Sequence, residues 1–294
     1  MSSVLYHRSV ILIITGGALL SLLGVGTRLM DSTSSLSIVF YRAIGQAFFL
    51  ALLLLLMQRP TMIKDFKALG LRGFGVSVCI AMASICIVLA VTHTSVANAV
   101  FIISLTPLVA AVLAWFALRE IVSKRTIFAI AVALLGVLFI VWDGLNSGGV
   151  LGMIFAFMMT VFYASGIVLT RGSNDSLNML LVIAISGAML AIVIFPFIDG
   201  LAISRKDLLI CLGLGVFQVG LGSYFVFSGA KHVPAAQVSV LALLEAVLSP
   251  IWVWLAVSEQ PSTMSLIGGA ILFSGVIYQA LEANSDARGL NNNS

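Results

Sequence analysis

Charged residues are scarce in this sequence. Only 9% of its 294 residues are Asp, Glu, Lys or Arg, whereas 61% are apolar and the mean hydropathy is +1.18. A soluble domain carries roughly 25% charged residues, so this chain lacks the polar surface that keeps a domain in water. The scarcity of charge excludes a soluble protein and predicts an all-α integral membrane protein.

Cysteine and histidine are scarce as well, with three of each. Cys79, Cys86 and Cys211 stand inside apolar runs without paired spacing, which indicates buried thiols rather than disulfides or metal ligands. No Cys/His cluster has metal-site spacing, and no nucleotide-binding signature is present. We therefore expect no metal, no cofactor and no ATP-driven pump. The Lys and Arg residues are scattered over short loops, so the net charge of +4 does not indicate a nucleic-acid partner.

Long apolar runs make up most of the remaining sequence. A helix that crosses the hydrocarbon core of a bilayer needs about 20 mostly apolar residues. Ten runs have about that length, and we number them as spans 1 to 10: 10–30, 36–57, 74–91, 96–118, 126–141, 151–170, 177–197, 208–229, 235–257 and 264–281. No soluble domain fits between them, and the polar C-terminal tail, 284–294, is predicted to be disordered.

Part of the chain is repeated. Residues 90–141 align without a gap on residues 229–280, and ten of the 52 paired positions are identical, among them a His, a Trp and a Glu pair. Apolar bias alone does not readily align these three rarer residue types at one offset. The sequence therefore predicts two repeats of five spans each, 1–145 and 146–283. Because five is odd, the second repeat enters the membrane from the opposite side, which gives an inverted repeat.

The distribution of positive charge predicts the orientation. Eleven of the 15 Lys and Arg residues lie at the termini or in the even-numbered loops, and three lie on the side of the odd-numbered loops. Positive loops stay in the cytoplasm, so both termini are predicted to be cytoplasmic. The expected location is a bacterial-type inner membrane.

Spans 4 and 9 carry a recognisable set of residues. Span 4 begins within SVANA at 95–99, contains LTPL at 105–108 and is followed by RE at 119–120, while span 9 contains LLE at 243–245 and SPIWVW at 249–254. With five plus five spans, the sequence resembles the EamA branch of the drug/metabolite transporter superfamily. The family often has Glu and Pro adjacent in span 9, whereas here the proline comes five residues after Glu245.

The resemblance implies a ten-helix carrier that works by alternating access. It implies a central cavity lined mainly by spans 1, 3, 4, 6, 8 and 9. The cargo of this branch includes amino acids, other metabolites and toxic compounds. The partners to expect are a small-molecule substrate, the lipid bilayer and protons, with the chain as a monomer or weak homodimer.

Two charged residues lie inside the spans. Glu245 is eleven residues into span 9, roughly 16 Å deep and near the midplane. An ionised carboxylate there costs at least about 2.5–3.5 kcal/mol unless it is paired or hydrated, so Glu245 either binds substrate and protons or holds helices together. Arg42, in span 2, either faces the cavity, snorkels to the interface or forms a structural pair. The repeat counterparts of the two residues are Thr106 and Ile183, so the fold itself requires neither charge.

Other polar residues at membrane depth are weaker candidates. Asn98, Gln218 and Tyr224 are predicted substrate contacts, and hydrogen bonds between helices explain them equally well. Pro107 and Pro250 interrupt helix interiors and are predicted as hinges, with an ordinary packing kink as the alternative.

Repeated polar residues at the span ends have a structural interpretation. His93 and His232 follow spans 3 and 8, where interfacial hydrogen bonds are expected. Glu120 and Glu259 follow spans 4 and 9 and are predicted to anchor the loops.

Three classes of function fit a membrane protein of this kind. An intramembrane aspartyl protease needs two deep Asp residues, and only Asp143 lies near a run; a rhomboid protease needs Gly-x-Ser-Gly, which is absent. A channel more often has rings of charge or a carbonyl filter around an axis. We therefore expect no enzyme but a secondary active transporter that exports a small amphipathic metabolite such as an amino acid, with proton antiport as the expected coupling. An uptake carrier or an exchanger for another organic metabolite is the alternative.

Overall fold

The computed structural model describes residues 3–31, 33–57, 62–119, 124–171, 177–198 and 200–291. Over these residues the backbone forms thirteen α-helices, a 3-10 turn and a π-helix, and no strand. The helices of the first half are α1 Ser3–Leu20, α2 Leu23–Arg28, α3 Ser35–Met57, α4 Met62–His93, α5 Val96–Ile103, α6 Thr106–Leu118 and α7 Lys124–Ser147. Those of the second half are α8 Val150–Arg171, α9 Met179–Ile194, α10 Arg205–Gly213, the π-helix Leu214–Leu221, α11 Gly222–Ala230, α12 Ala235–Val257 and α13 Thr263–Asn291. The 3-10 turn, Phe195–Phe197, follows α9.

The helices agree with the predicted spans. Nine helical stretches in the described residues are long and apolar enough to cross a membrane, and they coincide with spans 1 to 9. Span 10 corresponds to α13, whose apolar part, Thr263–Tyr278, is shorter. The all-helical class is confirmed, while the full count of ten membrane crossings stays a prediction.

The C-terminal segment differs from its prediction. α13 continues to Asn291, so residues 284–291 are helical where the sequence predicted a disordered tail. The preceding residues, 280–283, are Ala, Leu, Glu and Ala, which have high helix propensity and extend the helix beyond its apolar part. The last three residues of the predicted tail, 292–294, lie outside the described residues.

Three spans are interrupted. Span 1 is divided into α1 and α2 at 21–22, and span 4 into α5 and α6 at 104–105. Pro107 lies in the first turn of α6, where the missing N–H of proline breaks no helical hydrogen bond. In span 8 the π-helix separates α10 from α11. Such π-helical turns are often found at functional sites.

The helices pack in pairs that join the two halves of the sequence. The most extensive contacts are those of α1 with α11, α4 with α8, α3 with α9 and α7 with α13. These are the pairs of spans 1 and 8, 3 and 6, 2 and 7, and 5 and 10. When each span is replaced by its counterpart in the other repeat, the pair 1 and 8 becomes the pair 6 and 3. The pairs 2 and 7 and 5 and 10 each become themselves. The packing is therefore equivalent in the two halves.

Candidate functional site

Arg42 lies in the interior of the bundle. Its side chain, on α3, is only 4% exposed. Its Nε donates a hydrogen bond to Oε1 of Gln218 in the π-helix at 3.1 Å, and its Nη1 donates to Oγ of Ser84 in α4 at 3.0 Å. The guanidinium therefore joins three helices and does not snorkel to the interface. Two of the three roles considered for Arg42 remain, cavity function and structural pairing.

Two glycines set the distance of α3 from α10 and from the π-helix that follows it. A Cβ added at Gly45 would lie 2.7 Å from the carbonyl oxygen of Leu212, and one added at Gly215 would overlap the carbonyl oxygen of Arg42. Any larger residue would push the two backbones apart. Small residues allow membrane helices to approach in this way, and here the approach brings Gln218 within reach of Arg42.

Gln218 connects Arg42 with the interruption of span 1. Its Nε2 donates a hydrogen bond to the carbonyl oxygen of Leu20, the last residue of α1, at 3.1 Å. The next residue, Ser21, accepts a hydrogen bond from Nε1 of Trp252 in α12 at 2.9 Å. Side chains of spans 8 and 9 therefore hold the backbone where α1 ends.

Glu245 faces the Arg42 cluster from another helix. Its side chain, on α12, interacts electrostatically with Arg42 on α3 and with Tyr163 on α8. It forms no ion pair with Arg42, and α12 packs mainly against α1, α2, α5 and α13. Glu245 therefore lies near Arg42 and Tyr163 without an ion pair and without an extensive contact between α12 and the helices that carry them.

Asn98 belongs to a different polar cluster. Its side chain is 1% exposed and its Nδ2 donates a hydrogen bond to Oδ2 of Asp143 in α7 at 3.1 Å. Oγ of Ser265 in α13 lies within hydrogen-bond distance of Oδ1 of Asn98. The same Oγ lies 2.9 Å from Oδ2 of Asp143. The structure therefore does not bring Asn98 to Arg42 but uses it to join α5, α7 and α13.

Tyr224 is also apart from Arg42. It lies on α11 and lines a pocket of about 290 Å³ with Lys231 and His232, at the end of the bundle where α3 ends.

The two predicted hinges differ from each other: α6 begins next to Pro107, whereas α12 runs without a break through Pro250. Their hinge roles stay predictions.

A group of contacts joins four helix ends at the opposite end of the bundle. Arg28 forms an ion pair with Glu259, its Nε lying 2.6 Å from Oε2. Nη1 and Nη2 of Arg28 donate to the carbonyl oxygens of Val91 and Thr94, and Oε1 of Glu259 accepts from the N–H of Val96. Glu259 therefore holds the helix ends together, as predicted for a loop anchor.

Other polar residues at the span ends were also predicted to have structural roles. Glu120, the repeat counterpart of Glu259, lies outside the described residues. His93 makes a local contact from Nδ1 to the carbonyl oxygen of Leu89 at 2.8 Å, as expected of an interfacial residue. Among the residues that the structure describes, no group of three or more His, Cys, Asp or Glu side chains is placed to hold a metal ion.

Two serines of these clusters were not predicted. Ser84 contributes to the surroundings of Arg42, and Ser265 contributes to the cluster of Asn98. Ser, Thr and Tyr are common in membrane helices, so their presence alone carries no signal. Only the packing of distant spans identifies them.

Comparisons with known proteins agree with the helical fold. The EamA-like transporter family matches the chain twice, over residues 7–142 and 150–280. A crystal structure of another protein superposes on this chain with a TM-score of 0.66 at 18% identity, covering 94% of this chain and 98% of that one. At this identity the superposition supports the fold alone. A search of curated proteins finds no match.

The helices and the family matches together define a multi-pass helical membrane protein. Because the two matches cover most of the sequence, the chain belongs to the EamA-like transporter family. It is a membrane transporter of the drug/metabolite transporter superfamily, and the resemblance of spans 4 and 9 is confirmed.

Proposed function

We propose that this transporter exports a small zwitterionic metabolite, such as an amino acid, by alternating access and in exchange for protons. The observation that carries the proposal is the arrangement of Arg42, Gln218 and Glu245 in the bundle interior. Both charges lie at membrane depth, where ionisable residues are costly and usually functional. One is positive and the other negative, which suits a ligand that carries both charges.

Arg42 provides the anionic subsite. Two of its nitrogens, Nε and Nη1, are held by Gln218 and Ser84. Nη2 forms no hydrogen bond within the described part of the chain, so it remains available to a ligand. A guanidinium binds a carboxylate with strong, charge-assisted hydrogen bonds. The two protein contacts orient the guanidinium, and a substrate carboxylate completes its hydrogen bonding.

Glu245 provides the cationic subsite. Its carboxylate accepts either a substrate ammonium group or a proton, because burial disfavours an uncompensated charge in the membrane interior. Competition between the two cations for one carboxylate is the simplest antiport scheme. Tyr163 faces the same carboxylate and extends the polar surface for the ligand.

The two subsites come from different halves of the chain. Arg42 belongs to the repeat 1–145, whereas Gln218 and Glu245 belong to the repeat 146–283. A ligand that contacts both responds to movement of one half against the other. This arrangement supports alternating access by inverted repeats, with both termini in the cytoplasm of a bacterial-type inner membrane. An uptake carrier or exchanger uses the same two subsites with the opposite net flux.

Glu245→Gln tests the coupling. The variant keeps the size and hydrogen-bonding capacity of the side chain but does not titrate. In proteoliposomes screened over a panel of amino acids and related metabolites, it is expected to retain counterflow and to lose its response to an imposed pH gradient. The measurement is accumulation of labelled substrate with and without the gradient.

Asp31→Asn is the matched control, because the carboxylate of Asp31 forms an exposed ion pair with Lys206 and is not part of the proposed site. The control should respond to the gradient like the wild type. A Glu245→Gln carrier that still concentrates substrate as the wild type does would refute proton coupling at this residue. If the wild type shows no counterflow with any compound of the panel, the proposal that it carries amino acids or related metabolites is wrong.

A further inference from the structure

The pocket that contains Tyr224, here called the end pocket, lies where α3 ends, α9 begins and α11 ends. Its apolar wall is formed by the side chains of Leu53, Leu54, Met57 and Leu180. Its polar side is formed by Tyr224, Ser228, Lys231 and His232. The end pocket is therefore apolar along one side and polar and basic along the other.

The helix packing explains why the end pocket is open. α11 packs extensively against α1 and only slightly against α9. The π-helix before it packs closely against α3, through Gly215, but α11 itself has no extensive contact with α3. The two helices therefore separate toward this end of the bundle, and the space between them stays unfilled.

The polar side of the end pocket has groups available to a ligand. No hydrogen bond or ion pair engages the side chains of Ser228, Lys231 or His232 among the residues that the structure describes. No carboxylate is present among the described residues that line the pocket. Within the described lining, the positive charge of Lys231 is therefore not compensated.

We propose that the end pocket binds an anionic glycerophospholipid. One acyl chain lies against the wall formed by α3 and α9, and the phosphate group is bound by Lys231 and His232. Tyr224 lies seven residues before Lys231, about 10 Å along the helix. The polar side is therefore long enough to extend from the phosphate group along the glycerol of the lipid. Ser228, one turn nearer the end, donates to its ester oxygens.

The size and the position of the end pocket favour a lipid over a free metabolite. Its volume of about 290 Å³ lies at the lower end of the range for pockets that enclose a whole ligand. One chain segment fits, while the remainder of the lipid stays in the bilayer. The predicted orientation places this end at the cytoplasmic face, where basic pockets between membrane helices bind anionic head groups.

Native mass spectrometry of the full-length protein in detergent tests the proposal. The protein is titrated with phosphatidylglycerol, with phosphatidylcholine of the same acyl chains, and with glycerol 3-phosphate. We expect binding of phosphatidylglycerol in preference to the other two. The double variant Lys231→Gln, His232→Gln should weaken phosphatidylglycerol binding by about fivefold or more, the loss expected for one interfacial charge.

Two further variants distinguish binding in the end pocket from nonspecific attraction of the lipid to positive charge. Lys206→Gln removes an exposed lysine near the start of α10, at the other end of the bundle, and should leave binding unchanged. Leu180→Trp fills the apolar side and should weaken binding while Lys231 is intact. Equal binding of phosphatidylglycerol by the double variant and by the wild type would overturn the proposal. Binding of glycerol 3-phosphate as tight as that of the lipid would also overturn it, because the site would then be one for a soluble anion.

Discussion

Two buried polar clusters differ in how completely their hydrogen bonds are formed. In the cluster of Asn98, both ends of the amide side chain meet partners in the protein, Asp143 and Ser265. In the cluster of Arg42, Nη2 forms no hydrogen bond with the described residues, and the guanidinium lies near Glu245 without forming an ion pair. Buried polar groups in proteins are normally paired. We infer that the first cluster contributes to stability and that the second is completed by a ligand.

The largest effect is expected for Arg42→Gln. The variant removes the donor for a substrate carboxylate and should weaken substrate binding by about 100-fold, because a buried charge contact contributes 2–5 kcal/mol. The fold should persist, because Glu245, which loses its positive neighbour, can bind a proton and become neutral. Concentration dependence of counterflow and size-exclusion profiles measure the two properties. If the variant is less stable but its folded fraction binds substrate as tightly as the wild type, Arg42 has a structural role and does not bind substrate.

A smaller effect, on both stability and affinity, is expected for Gly215→Ala. The added methyl group overlaps the backbone of α3 at Arg42, and such overpacking typically costs 1–3 kcal/mol. It also separates Gln218 from Arg42, so counterflow affinity should decrease together with the thermal midpoint. Gly213→Ala, two residues earlier, is the matched control, because a Cβ at Gly213 has no neighbour within 4 Å. Equal midpoints for the two variants would contradict the close approach.

The smallest effect is expected for Asn98→Ala, and it concerns stability alone. The variant removes one side-chain hydrogen bond to Asp143 and one to Ser265. In membrane proteins each such bond contributes about 0.6 kcal/mol, so the free energy of unfolding should decrease by about 1 kcal/mol. Counterflow per folded molecule should remain as in the wild type. A selective loss of substrate affinity in this variant would return Asn98 to the substrate site and remove the contrast between the clusters.

The sequence predicts the helices better than it predicts which side chains meet. Hydropathy locates the spans because every membrane helix must be apolar over a fixed length. Arg42 and Glu245 are found from sequence because charge at that depth is costly. The separation of Asn98 from Arg42 could not be predicted, since both are simply polar residues in apolar runs. Their partners depend on which distant spans pack together.

Local backbone irregularities were beyond the sequence for a similar reason. Nothing in span 8 indicates the π-helix that turns Gln218 toward Arg42, and no proline marks the interruption at Ser21. Side chains from other spans contact both irregularities: Arg42 donates to Gln218 in the π-helix, while Gln218 and Trp252 donate to Leu20 and Ser21. Periodicity along one segment does not report such contacts. The motifs of spans 4 and 9 were informative instead, because the family that they resemble is the one whose model matches the chain.

The contacts of Arg28 have a consequence for how that end of the bundle opens. One guanidinium and one carboxylate make four hydrogen bonds, to each other, to the carbonyl oxygens of Val91 and Thr94 and to the N–H of Val96. Withdrawal of Arg28 removes three of them at once, and Glu259 then keeps only Val96. We therefore expect the helix ends to separate together rather than one by one. In the proposed alternating access, this end would exchange between a closed and an open arrangement without a stable intermediate.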